Sequence, residues 1–242
     1  WSSRITSTQT FTGVVDLVHG PVGFDLRNSN LALVVLTGRQ AYYGYSDNVT
    51  YVASNHADWL LYDKNKKIAL AANGAPLLNI RNDEVKQQVA DDARKLVYDQ
   101  GYDGVILDGV GEGLIRSTNT PTFTGTKAFT EEQRRDAVEG LLRSIRAAVP
   151  DKLLIVGGYA WEDGAAYNAG VSEAQDLASL ADGVHITQFL RAPYSGTLEF
   201  KSDSNWKRDV DYLAAISQDN KIVLITTALD ETGVSTDTLR QW

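Results

Sequence analysis

Gly101-Tyr102-Asp103-Gly104-Val105-Ile106-Leu107-Asp108 is a short buried strand, entered through a Gly-Tyr-Asp-Gly turn and closed by an aspartate. Val105, Ile106 and Leu107 form a continuous apolar run, the pattern of a parallel strand covered on both faces. Asp108 stands where the strand stops and a glycine-rich loop, residues 109–113, begins. In strand–helix folds the carboxyl ends of the strands carry the chemistry. Asp108 is therefore a candidate catalytic carboxylate; the competing assignment is a turn cap or an arginine partner, and both stand open on spacing alone.

Outward from this strand the same alternation repeats. Apolar runs at residues 14–18, 31–36, 77–80, 105–107, 153–156, 184–189 and 222–225 read as seven strands. Helical stretches lie between them. Asn82 precedes a run from 83 to 100 with Val85, Val89, Ala93, Leu96 and Val97 on one stripe, acids at its start and Gly101 at its end. Thr130-Glu131-Glu132-Gln133 is a capping box before Ala137, Val138, Leu141, Leu142 and Ile145, and Pro150 stops that helix. Residues 171–180 and 205–217 supply two more helices.

Repeated strand–helix–strand units predict an α/β fold with a parallel sheet and right-handed crossovers. The 242 residues suit one TIM (β/α)8-type barrel domain spanning 1–242, a unit that commonly takes about 200–250 residues. Seven strands fall one short of eight. The expectation is a barrel incomplete at its C-terminal end, or closed by residues 5–12. The long irregular stretches, 38–58 and 109–129, both follow strand ends and would share the carboxyl mouth.

Composition excludes several functions. A net charge of −8 offers no basic face for nucleic acid and no attraction to anionic membranes. No run of 18 apolar residues exists, so no membrane insertion is expected. The absence of Cys removes disulfides, thiol catalysis and thiolate metal sites. His19, His56 and His185 lack metal-ligand spacing, so neither a metal nor a cofactor is expected. If Thr187 points into the barrel, His185 points the same way one layer lower, which reads as a core residue rather than a base. Neither a phosphate-loop lysine nor a Gly-x-Ser-x-Gly elbow is present. Asn48-Val49-Thr50 is a glycosylation sequon. With no Met and a start at Trp1, the stretch is expected to be a mature form, a domain or part of a longer chain.

The order of motifs resembles one group of proteins. Asp58-Trp59-Leu60-Leu61-Tyr62-Asp63, then Leu78-Asn79-Ile80-Arg81-Asn82, then an amphipathic helix, then Gly-Tyr-Asp-Gly-Val-Ile-Leu-Asp is similar to TIM-barrel glycoside hydrolases related to endo-polygalactosaminidase and spherulin-4-like proteins. The likeness continues through residues 148–155 and 181–184. It implies a barrel, a carbohydrate substrate, an extracellular or cell-surface location and Asp108 as one catalytic carboxylate. It also implies Asp-Gly-Val-x-x-Glu on the sixth strand, with the glutamate as second acid. Here Asp182-Gly183-Val184-His185-Ile186-Thr187 carries threonine at that place.

Glycoside cleavage ordinarily needs two carboxyl groups, about 5–5.5 Å apart for retention and about 6.5–9.5 Å for inversion. A threonine hydroxyl is too weak an acid for the task. Among Asp16, Glu112, Glu162, Asp163, Asp230 and Glu231, the first choice for the partner is Glu162: its strand neighbours that of Asp108, and Trp161 could stack on a sugar ring. The competing reading of Glu162 and Asp163 is a loop cap or solvated acids. Aromatic and polar groups at the expected mouth (Tyr43, Trp59, Tyr159, Trp161, Thr187 and Gln188) are the candidate sugar contacts, ordinary loop packing being the plain counterpart. Two functions follow: a secreted glycoside hydrolase, or an inactive barrel that binds carbohydrate or builds a surface assembly through self-assembly or attachment to a larger protein.

Overall fold

A computed structural model describes residues 17–20, 31–37, 46–63, 65–69, 76–108, 131–159, 179–187, 189 and 202–226. Six strands lie among them: β1 (Leu17–Gly20), β2 (Leu31–Thr37), β3 (Gly104–Asp108), β4 (Leu153–Tyr159), β5 (Gly183–Thr187) and β6 (Ile222–Thr226). They form one sheet in the order β1-β2-β3-β4-β5-β6. Every neighbouring pair is parallel. An open doubly wound sheet reverses its strand order at a switch point. This sheet does not reverse, and its strands follow sequence order as barrel strands do.

The helices are α1 (Ser46–Asn55), α2 (Asp83–Arg94), α3 (Glu131–Ala148) and α4 (Asp203–Gln218). α2 continues into a wider turn, Lys95–Asp99, before Gly101 turns the chain at φ +81°. That is a conformation glycine adopts without penalty. Asn82 caps α2 by accepting from the Glu84 backbone N–H at 2.8 Å, as the sequence predicts.

The main core lies between the sheet and the helices. Val105, Leu107, Leu154, Val156, Val184 and Ile186 meet Val85, Val89, Ala93 and Val97 of the α2 segment, Val138, Leu141, Leu142 and Ile145 of α3, and Leu213 and Ile216 of α4. Ile106 and Ile155 occupy the other face of the sheet and are also fully buried, packed with Leu153, Ile222 and Leu224. The central strands are covered on both sides, which accounts for their unbroken apolar runs.

Three expectations need correction. Residues 77–80 are not a strand of the sheet. Leu78 bridges Leu60 and Tyr62 bridges Ile68, both antiparallel, and Leu61, Ala69 and Leu77 bury a small separate cluster. A short apolar run looks the same in either setting. Residues 38–58 are not wholly irregular, because they contain α1. Its Val49, Thr50 and Val52 are weak helix formers. Val52 is buried and Ala53 packs on the core, so tertiary contact outweighs propensity; the glycosylation sequon lies inside this helix. Finally, the strand expected at 153–156 does not stop there but runs on through Gly157-Gly158 to Tyr159. The register slips there, with Gly157 opposite His185 and Tyr159 opposite Ile186. Residues 109–129 and most of the helix expected at 171–180 lie outside the described residues, as does the segment 5–12.

Candidate functional site

The parallel ladder gathers the strand ends. Thr37 pairs with Asp108 on the last rung of β2 and β3. Thr187 pairs with Thr226 on the last rung of β5 and β6. Tyr159 closes β4 just beyond the bulge. Bulges are enriched beside active sites, where they re-aim the residues that follow. One carboxylate residue, three threonines and a tyrosine therefore end five adjacent strands.

The amino edge is built differently. Asp103-Gly104-Val105 and Asp182-Gly183-Val184 lead into β3 and β5 with the same tripeptide, its aspartate just before the strand. The Asp103 carbonyl accepts from Leu153 N–H, and the Asp182 carbonyl accepts from Ile222 N–H at 2.8 Å. A Cβ at Gly104 would sit 2.6 Å from Leu153 Cβ, and one at Gly183 2.7 Å from Ile222 Cβ. Both glycines are set by close approach of the next strand. The Asp182 carboxylate also accepts from the Arg146 guanidinium at 2.6 Å and from Leu154 N–H at 2.8 Å. Tyr98, at the end of the α2 segment, donates to Asp151, with Lys152 over its ring. This hydrogen bond holds the Asp151 carboxyl below its ordinary value and pushes the Tyr98 phenol up. These contacts hold the fold together on the edge where barrels place stability rather than chemistry.

Counting from the shared Asp-Gly step, Asp108 and Thr187 are the same strand position, the fifth residue of β3 and of β5. Tyr43, Trp161, Glu162 and Gln188 lie outside the described residues. For Asp108, Tyr159 and Thr187 the description extends to the backbone. Trp59 is fully described. Its indole N–H donates to Glu84 at 3.0 Å, its ring lies 4.2 Å from that of His56, and it packs against the main core. The Trp59–Glu84 bond spans 25 positions, and nothing in the local sequence signals it. His185 is buried, with 5% of its surface exposed. Asp209 of α4, a residue the sequence did not single out, is fully buried.

α2 and its continuation span about 25 Å, against about 17 Å for β3. The chain passes from the end of the α2 segment into β3 through four residues, 100–103. The amino end of α2, with Asp58, Trp59 and Glu84, therefore lies toward the carboxyl edge of the sheet. Among the described residues no three His, Asp or Glu side chains group to hold a metal ion, and no helix is long and apolar enough to cross a membrane.

No family model matches the chain, and no curated protein matches its sequence. Solved structures do match its shape. The glycoside hydrolase domain of PelA from Pseudomonas aeruginosa aligns over 90% of this chain and 78% of its own, with a TM-score of 0.63 and 14% identity. A variant of the same domain aligns over 88% and 77%, with a TM-score of 0.61 and 14% identity. The chain has the barrel-type fold of a glycoside hydrolase domain. At this identity the likeness concerns the fold. It agrees with the consecutive parallel strand order.

Proposed function

We propose that this protein acts on a polysaccharide at the carboxyl edge of its barrel, as a secreted glycoside hydrolase with Asp108 as one catalytic carboxylate and Glu162 as its partner. The observation that carries the reading is the position of Asp108 at the carboxyl end of β3, in register with Thr37 and beside the β4 bulge. The motif order shared with endo-polygalactosaminidase and spherulin-4-like proteins, and a fold shared with a glycoside hydrolase domain, support it. In this mechanism one carboxyl group protonates the glycosidic oxygen while the other attacks the anomeric carbon or activates water. Tyr43, Tyr159, Trp161, Thr187 and Gln188 would contact the sugar through ring faces and hydrogen bonds.

A second reading rests on Thr187. It holds the strand position equivalent to Asp108 but carries a hydroxyl, so a barrel that binds glycan without cleaving it, inside a larger surface assembly, accounts for the same residues. A reducing-end release screen over polysaccharides separates the two. The hydrolase reading expects release by the wild type and loss of it in both Asp108→Asn and Glu162→Gln. Release that is unchanged in Asp108→Asn removes this residue from the mechanism. Retention of a glycan with no release by the wild type selects the binding module.

A further inference from the structure

A polysaccharide is longer than any barrel mouth, so contacts beside the mouth decide how the chain is held. We propose that the exposed Tyr51, with the half-buried His56 and Trp59 beside it, forms a ledge that binds an uncharged glycan chain next to the carboxyl edge; the inference rests on the carbohydrate reading above and adds a contact separate from the strand ends.

The three rings form a row. Tyr51 and His56 have centroids 6.1 Å apart with planes at 51°, and His56 and Trp59 are 4.2 Å apart at 31°. Tyr51 is 60% exposed, a large ring left in water on a short helix. Aromatic rings with polar tips suit pyranose rings, whose C–H faces pack on them while their hydroxyls stay hydrated.

The ledge is held in place before any ligand arrives. Glu84 accepts from the Trp59 indole at 3.0 Å. The Trp59 carbonyl accepts from Asn79 N–H at 2.8 Å. Asn79 Nδ2 donates to the Asp58 carbonyl at 3.0 Å, and Asn82 Nδ2 donates to the Asp58 carboxylate at 2.6 Å. Groups already immobilised lose little further freedom on binding.

Charge narrows the partner. Along this turn Asp58 accepts from Asn82, Glu84 accepts from Trp59 and Asp83 pairs with Lys86 at 2.8 Å, with Arg81 the other cation in the segment, three carboxylates against two cations. That balance offers no attraction to a polyanion, and the ring row supplies most of the contact. The position at the amino end of α2 sets the ledge on the side of the strand ends, where a chain leaving the mouth would cross it.

Affinity electrophoresis in native gels containing hydroxyethyl cellulose, galactomannan or glycol chitin, with polygalacturonate as the anionic comparison, tests the proposal. The wild type should be retarded by at least one uncharged polymer and not by polygalacturonate. Tyr51→Ala should weaken that retardation about tenfold, the scale of losing one central aromatic contact, while Tyr51→Phe should keep it. Tyr51 lies outside the core, so circular dichroism should be unchanged in both. Equal retardation of Tyr51→Ala and wild type overturns the ledge whatever the hydrolysis screen gives, as does a wild type that no uncharged polymer retards. The hydrolysis screen reports on Asp108 independently, so failure of the ledge and failure of the carboxyl-edge reading are distinguishable.

Discussion

Asp108 and Thr37 are register partners on the last rung between β2 and β3. A strand's final residue is held by its ladder yet borders the loops, which suits a group that must be fixed and still reach a ligand. Replacing Asp108 by Asn keeps the shape and removes the charge. Glycan cleavage should fall by about 10²–10⁴-fold, the range for losing one positioned acid or base, with an unchanged circular dichroism spectrum. Steady-state kinetics on the polymer selected by the release screen checks this.

The glycines that open β3 and β5 make a stability prediction. Gly104→Ala and Gly183→Ala would each push a methyl into the first residue of the next strand. Each should cost about 1–3 kcal/mol or more, as overpacked sites do. Gly140→Ala in α3 is the contrast, since its Cβ would meet only the flexible end of Lys86 at 3.3 Å. There helix propensity favours alanine by about 1 kcal/mol, so the variant should be neutral or slightly stabilised. Urea denaturation of the three variants distinguishes these outcomes.

Asp182 ties three elements together at the amino edge through Arg146 of α3 and the Leu154 N–H of β4. Asp182→Ala strips a charge-assisted acceptor from both donors. A loss of about 1–3 kcal/mol is expected, partly relieved by water because Asp182 is 39% exposed. Cleavage and glycan binding per folded molecule should not change, because the carboxyl edge is untouched. Equilibrium unfolding and the release assay read the two effects separately.

The Tyr98–Asp151 bond gives a pH signature. The folded-state pKa of Asp151 lies below its ordinary 3.8. Its contribution is therefore present above about pH 4 and fades as pH falls through the lowered value. The folded-state pKa of Tyr98 lies above 10.0. Its contribution is present below about pH 10 and fades as pH rises through the raised value. Tyr98→Phe should lower Tm modestly between those limits and converge with wild type at both extremes. Thermal melts across the pH range test it; a difference growing toward acid would contradict the assignment.

Much of this architecture is legible in the sequence because buried parallel strands leave plain marks. Residues 31–37, 104–108 and 222–226 are apolar runs that end in Thr or Asp, and each is a strand. The Asn82 cap and the α2 stripe were equally plain. α1 was not, because β-branched residues disguise a helix held by its contacts with the core. Residues 77–80 misled because a two-leucine run cannot say which backbone it will bridge. The glycine pair at 157–158 marks an irregularity, and only pairing with β5 shows a bulge instead of a stop. At the candidate site, Asp108 and Thr187 could be found from their shared distance to an Asp-Gly step. The hold of Glu84 on Trp59 could not, since it joins residues distant in sequence with no local pattern.

Hydrogen exchange with and without a bound oligosaccharide tests the central claim most directly. Protection is predicted at the amides of 36–37, 107–108, 157–159 and 186–187, the carboxyl ends of β2 to β5. Protection confined to 103–105 and 182–184, at the opposite edge, would contradict it.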